Sequence, residues 1–290
     1  MSKKFHSFEP KDHEVSYNHR FMLGGIAPRP IAFVSTQSVD GVDNLAPYSF
    51  FNAFGANPPY IAFSPARRGR DNTTKDTYHN LLETKECVVH IVEFDIVEQM
   101  NLASCEYPSE TDEFIKAGFN KLDSDLIKPK RVLESPFHME CRLDKMIELG
   151  GKAGSGNLAL CEVVKFHVDE EKLTDGMLNP ELLDSVGRNG GNYYTRASGK
   201  ALFEIAKPNR NNGVGFDNLP NSILKSDILS GNDLGKLAMV NEIPSKEKAI
   251  DNYQLSYGDV KVLHQVVKDL LSEDRVDEAW YEIVAYENGL

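Results

Sequence analysis

The sequence predicts a β-rich α+β fold: an antiparallel barrel with helices outside it, followed by a helical C-terminal extension. Three observations carry this. Short apolar runs bounded by Gly, Pro and Asn recur up to Val168. They do not alternate regularly with helices, as the crossovers of a parallel sheet would require. Past Asp217 the apolar residues shift to i, i+3, i+4 spacing, the signature of a helix face.

Each element follows in order. Residues 31–36 (IAFVST) come after the rigid Pro28-Arg29-Pro30 and read as a strand. Asp40-Gly41 marks the next turn. Residues 45–54 are apolar and aromatic until Asn57-Pro58-Pro59 breaks the chain, and residues 60–64 form another strand. The RRGRDNT run at 67–73 is too polar for a core element and reads as a loop. Residues 74–83 have helical spacing, with Tyr78, Leu81 and Leu82 on one side. A strand over 87–92 precedes a helix over 95–104, with Asp95 placed to cap it. Residues 106–131 are polar and irregular, with a short helix near 112–117. Met139, Cys141, Leu143, Ile147 and Leu149 trace a long half-buried strand. The glycine-rich 150–156 is its turn, and 158–168 (LALCEVVKFHV) its hairpin partner. Residues 187–218, rich in Gly, Asn and Arg, read as a loop region. Two helical stripes follow: Leu263, Val266, Val267, Leu270, Leu271, then Val276, Ala279, Trp280, Ile283, Val284. The expected organisation is a barrel domain over 1–208 and a helical extension over 209–290.

Asp and Glu number 44 against 32 Lys and Arg, for a formal net charge of -12. Such a surface repels a phosphate backbone and anionic lipid. Neither nucleic acid nor a membrane is an expected partner, although a locally basic pocket can still take a small phosphorylated ligand. The start, MSKKFHSFEPKDHEV, has neither the apolar core of a signal peptide nor a lipidation motif. No apolar run approaches the roughly 18 residues of a membrane helix, so the expected compartment is the cytoplasm. Cys87, Cys141 and Cys161 sit in strand-like runs and read as buried thiols, while Cys105 follows a helix and is the more exposed. No CxxC pair, HExxH, GxSxG, Walker A or GxGxxG occurs. His90 and His167 read as satisfied strand residues, and no metal site is expected.

Three segments stand out: PRPIAFVST at 28–36, NLAPYSFFN at 44–52 and SPARRGRDNTTKDTYHN at 64–80. In this order and spacing they resemble the flavin-reductase-like FMN-binding split-barrel family. The likeness spans roughly residues 20–208, including ECRLDKMIELGG, GNLALCEVVKF and NYYTRASGKALFEIAKP. It implies a split barrel, bound FMN and a homodimer. It also implies that hydride passes from NAD(P)H to flavin, or that electrons pass through the bound FMN.

Physical chemistry gives the segments matching roles. A helix opening at Thr74-Lys75-Asp76-Thr77 offers free N–H groups and a partial positive charge to a phosphate. Lys75 adds a cation, Thr74 and Thr77 add hydroxyls, and Arg67, Arg68 and Arg70 lie just upstream. Plain capping by Thr73 or Thr74 beside a solvated basic loop is the other reading of the same residues. The flavin ring needs polar groups along its pyrimidine edge. Ser35 and Thr36 at one strand end, and Ser49, Phe50 and Asn52 in the next strand, are the candidates. In a regular strand Ser49 and Phe51 face away from Phe50 and Asn52, so only one pair can contact a ligand through side chains.

No catalytic residue is named, because charge developing on a reduced flavin needs electrostatic stabilisation rather than a dedicated acid or base. Many flavin reductases of the family carry Gly-Asp-His near the partner hairpin. This chain has Gly-Gly-Lys-Ala-Gly-Ser-Gly there. A flavoredoxin-like carrier served by a redox partner protein is therefore a second reading, and a binding module without turnover a third. The segment 218–241 either packs on the barrel or closes over the flavin, with 209–215 as a hinge.

Overall fold

The apolar run at Ile31 becomes strand β1 (Ala32–Gln37), and both of its faces are buried. Ala32 and Val34 point into one hydrophobic cluster, Ile31 and Phe33 into another. A strand covered on both sides has no reason to alternate with polar residues. The computed structural model describes residues 3–208, 212–254 and 258–289. The chain divides into two units, Met1–Phe203 and Glu204–Leu290.

In the first unit, β2 (Asp43–Tyr48), β3 (Phe51–Ala56), β4 (Pro59–Phe63) and β5 (Glu86–His90) follow β1. Two-residue strands β6 (Lys121–Leu122) and β7 (Arg131–Val132) pair with each other. The long hairpin β8 (Phe137–Leu149) and β9 (Gly156–Val168) comes next. Seven strands form one antiparallel sheet in the order β2-β1-β5-β8-β9-β4-β3. Its two edge strands, β2 and β3, are consecutive in the chain and separated only by Ser49 and Phe50. Seven strands cannot place both edges two residues apart unless the sheet curls on itself. The result is an antiparallel split barrel. The single run expected at 45–54 is thus two strands on opposite edges, and the face argument for one regular strand does not apply to it.

Helices α1 (Val15–Gly25), α2 (Asp76–Thr84), α3 (Val97–Leu102) and α4 (Glu113–Ala117) lie outside the sheet strands. Leu81 of α2 joins the cluster that contains Phe63, Val89 and Cys141. Met100 of α3 and Phe114 of α4 join the cluster on the other face of β1. Asp95 does not cap a helix: it lies inside a 3-10 turn, Phe94–Ile96, and Ile96 stands at the N-cap of α3. Asp112 does cap α4, accepting from the Phe114 N–H. Helix α1 escapes sequence reading because it buries none of its residues and so carries no apolar stripe.

After β10 (Leu173–Thr174), β11 (Met177–Leu178) and α5 (Pro180–Leu183) comes a further hairpin. Strands β12 (Ser185–Arg188) and β13 (Tyr194–Ala197) replace the loop expected from Gly187 onward. Val186 is the only buried residue in these two strands, so apolar patterning could not mark them. They are held by backbone instead: Arg29 and Arg188 exchange N–H···O bonds of 2.9 and 2.8 Å. Gly187 permits the approach, since a Cβ there would lie 2.9 Å from Pro28.

The second unit has its own core. Helices α6 (Asn221–Leu224), α7 (Gly231–Ala238), α8 (Lys246–Ile250), α9 (Val260–Ser272) and α10 (Val276–Glu287) surround Leu237, Leu263, Val267, Trp280 and Ile283. A capping box between Ser230 and Asp233 starts α7 at Gly231. Residues 209–211 of the expected hinge lie outside the described residues. Among the described residues no helix is long and apolar enough to cross a membrane.

Candidate functional site

Strand β2, the first turn of α2 and the connection from α3 to α4 border an open cleft of about 100 Å³. Lys75 stands at the N-cap of α2, half-buried, with Nζ 5.1 Å above the Tyr48 ring. Among the described residues it forms no ion pair. Burial pushes its pKa below the usual lysine range, with Arg68 adding to the effect and Glu106 opposing it. Arg68 Nη1 donates to Thr73 Oγ1 at 3.1 Å and to the Thr74 carbonyl at 2.5 Å. Glu106 sits across from both arginines, 3.8 Å from Arg68 and 2.5 Å from Arg70.

A buried polar network lies beneath. Tyr48 donates its hydroxyl to Thr77 Oγ1, and Thr77 donates to Asn44 Oδ1, each at 2.8 Å. Thr36 also donates to Asn44 Oδ1, at 3.2 Å, and accepts from Asn80 at 3.0 Å. Glu113 Oε2 accepts from Asn44 Nδ2 and from the Leu45 N–H, while burial raises its pKa. Every hydroxyl in this network is committed, so it fixes β2 against α2 and α4 rather than facing a ligand.

From Tyr48 the cleft continues past Pro47 and Ser49 to Arg188 and Tyr194. No carboxylate lines this stretch. Ser49 Oγ accepts from Arg29 Nε at 3.3 Å. Arg29 is buried, and its other N–H groups go to the carbonyls of Leu23, Ile26 and Asn189. Burial, then the charge of Arg188, pull its pKa below the usual arginine range. A hydroxyl that accepts from a buried cation keeps its own proton free to donate into the cleft.

The expected site residues divide accordingly. Lys75 lines the first stretch and Ser49 the second, with Tyr48 common to both. Thr77 borders the first stretch but is buried in the network below. Ser35 is buried and donates to the Lys130 carbonyl at 2.5 Å. Thr36 is equally enclosed. Phe50 is half-buried, and its carbonyl accepts from the Ser64 N–H. Asn52 is exposed, with Oδ1 turned to the Ala53 N–H. Thr74 Oγ1 pairs with His79 Nε2 at 2.6 Å instead of capping α2. Arg70 is exposed and paired with Asp71 and Glu106. Sequence reading missed Arg29, Tyr48, Arg188 and Tyr194. The arginine held between two prolines, and an arginine flanked by glycines at 187 and 190–191, were the available signals.

His90 is satisfied, donating from Nδ1 to the Phe33 carbonyl and accepting the Val132 N–H at Nε2. Away from the cleft, Asp125, Glu140 and His167 bring potential ligand atoms within 4.8 Å of one another. Glu140 accepts the N–H groups of Asp125 and Leu126 as well as His167, and Asp125 pairs with Lys165. These bonds tie the loop before β7 to the sheet. The cysteines fall as expected, with Cys87, Cys141 and Cys161 buried and Cys105 exposed.

This chain belongs to the flavin reductase-like domain family, whose pattern matches residues 24–187, within the first unit. An uncharacterized protein of Halalkalibacterium halodurans is 38% identical over 179 residues, 61% of this chain and 85% of that one. The structure of nitrilotriacetate monooxygenase component B from Bacillus cereus is 34% identical, with a TM-score of 0.66 over 70% of this chain and 100% of that one. The 2-nitrobenzoate 2-nitroreductase of Pseudomonas fluorescens is 26% identical, with a TM-score of 0.61 over 69% and 96%.

Proposed function

We propose that the chain is a cytoplasmic flavin oxidoreductase that holds FMN in this cleft and takes hydride from NAD(P)H. One observation carries the reading: Lys75, a half-buried cation without an ion-pair partner among the described residues, stands at the start of a nine-residue helix beside Arg68. That donor set suits a phosphate dianion. When bound, FMN supplies a two-electron acceptor and a planar ring. Lys75, Arg68 and the first-turn N–H groups of α2 hold the phosphate. Ser49, oriented by Arg29, offers its hydroxyl to the polar edge of the ring. The buried charge of Arg29 favours negative charge developing nearby and needs no proton transfer.

The glycine turn at 150–156 lacks the histidine of many flavin reductases, which favours a carrier served by a partner protein. Anaerobic addition of NADH or NADPH to the yellow protein separates the two: bleaching supports the reductase, and unchanged absorbance the carrier. FMN binding itself is tested with Lys75→Ala. The variant should weaken FMN by roughly 1.5–3 kcal/mol and leave riboflavin nearly unchanged. Equal losses for both ligands would place the phosphate elsewhere.

We also propose a homodimer. Strand β3 is a sheet edge with Ala53, Phe54 and Ala56 exposed. An open edge of this kind is normally covered, and a second copy can cover it. Light scattering should give twice the chain mass, and Phe54→Lys should shift it towards one.

A further inference from the structure

Beyond the ring end, the cleft opens into a larger hollow of about 370 Å³ between the β12–β13 hairpin and α3. Arg188 and Tyr194 line both spaces. We propose that this hollow is a second binding site, for a planar aromatic molecule carrying a negative charge, and that Arg188 and Tyr194 recognise it. The flavin reading supplies only the identity of its neighbour.

The charges are the first argument. Arg188 forms no ion pair among the described residues; its guanidinium stacks on the Tyr194 ring at 4.4 Å. Arg29, close enough for the two charges to oppose each other, bonds only to neutral oxygens. Two cations therefore stand together without a protein counter-ion. Arg196, on the far wall, is different: it makes two bonds to Asp184, at 2.7 and 2.6 Å, and its charge is compensated. Glu98, an exposed residue, borders the hollow but not the ring end. One uncompensated positive site thus faces the junction of the two spaces.

Shape is the second argument. Arg188 lies over Tyr194, and Arg196 lies 3.9 Å over the Phe94 ring. Each wall is a flat stack, and Val97 and Val186 are the apolar surface between. Flat walls favour a flat ligand, and a guanidinium both stacks on a ring and bonds to an anion. Two sources share this chemistry: the phosphorylated aromatic end of a nucleotide, and an aromatic carboxylate.

The test uses the full chain and calorimetry. Benzoate is compared with benzamide, and adenosine 2′,5′-bisphosphate with adenosine. At least one anion should bind roughly tenfold or more tightly than its neutral counterpart, a difference of about 1.4 kcal/mol. Whichever anion binds better names the source. Arg188→Gln should erase the preference, and Arg188→Lys should retain part of it. The substitution leaves β12 in place, because Arg188 pairs with Arg29 through backbone atoms; circular dichroism checks this. Equal binding of charged and neutral probes, or a preference unchanged in Arg188→Gln, overturns the proposal. FMN affinity is measured in parallel. FMN binding without anion preference sinks this site alone, whereas anion preference without FMN binding sinks only the flavin reading.

Discussion

The Tyr48 hydroxyl donates to Thr77 Oγ1 at 2.8 Å, joining the edge of the sheet to the first turn of α2. Thr77 in turn donates its hydroxyl hydrogen bond to Asn44 Oδ1 at the same distance. Both residues are buried, so the threonine serves the scaffold of the proposed phosphate site. Thr77→Ala should destabilise the flavin-free protein by about 1–3 kcal/mol, the penalty for stranding a buried partner. The FMN-to-riboflavin affinity ratio should stay as it is. A ratio that collapses in Thr77→Ala would return the hydroxyl to the ligand.

Lys75 gives FMN binding a pH limb. Burial, aided by Arg68, places its pKa below that of an ordinary lysine. Phosphate binding needs the protonated ammonium. Affinity is therefore complete below the folded-state pKa and falls as pH rises through it, earlier than a solvent lysine would allow. Lys75→Arg should hold the affinity flat over that alkaline range, because a guanidinium stays charged. Flavin fluorescence titrations between neutral and alkaline pH read the difference. A wild-type limb identical to that of Lys75→Arg would contradict it.

Glu106 competes with any phosphate for the arginines. It faces Arg68 and Arg70 at 3.8 and 2.5 Å while half exposed. Glu106→Gln removes that counter-charge and leaves Lys75 and Arg68 free to pull on an anion. FMN should bind several-fold more tightly at low ionic strength, with the gain shrinking in salt. Riboflavin should show no gain.

Much of this was legible in the sequence. The β8–β9 hairpin reads directly from its length and glycine-rich turn, and β9 alternates as expected, whereas β8 buries 138–141 in succession and leaves Leu149 exposed. Helices α9 and α10 of the second unit read equally well from their apolar stripes, whereas the short α6 and α8 do not. The hairpin of β12 and β13 does not, because its strands are held by the Arg29 backbone and by arginine–aromatic stacks instead of core burial. Site residues were legible by type and less so by direction. Ser35 and Thr36 have suitable hydroxyls, but tertiary partners far along the chain, Lys130 and Asn80, occupy them. Arg29 reaches the cleft only through Ser49, a contact that no spacing rule encodes.

His138 makes the protein sensitive to acid. Burial lowers its pKa from 6.5 to about 4, and Arg131 and His167 push in the same direction. In the unfolded chain the imidazole takes its proton as pH falls through 6.5, while the folded protein resists until about 4. Stability attributable to this group is therefore complete above 6.5 and is lost as pH falls towards 4. The loss amounts to roughly 3 kcal/mol by pH 4. His138→Asn should flatten that part of the urea midpoint against pH. A midpoint that falls equally in both proteins would assign the acid limb to other groups, with fully buried His90 the first to test.

Trp280 is the only tryptophan in the chain and is fully buried in the second unit. Its indole N–H donates to the Leu237 carbonyl at 3.1 Å, and the Leu237 side chain belongs to the same core. Tryptophan emission therefore reports this helical core and no other. Native emission should be blue-shifted, as for an indole out of water, and should move red on unfolding. Leu237→Ala removes a buried side chain but keeps the carbonyl that Trp280 needs. It should cost about 2–5 kcal/mol and bring the red shift to lower urea without altering the native spectrum. Emission that is already red in the native protein would place Trp280 in water and contradict the packing of α10 on α7.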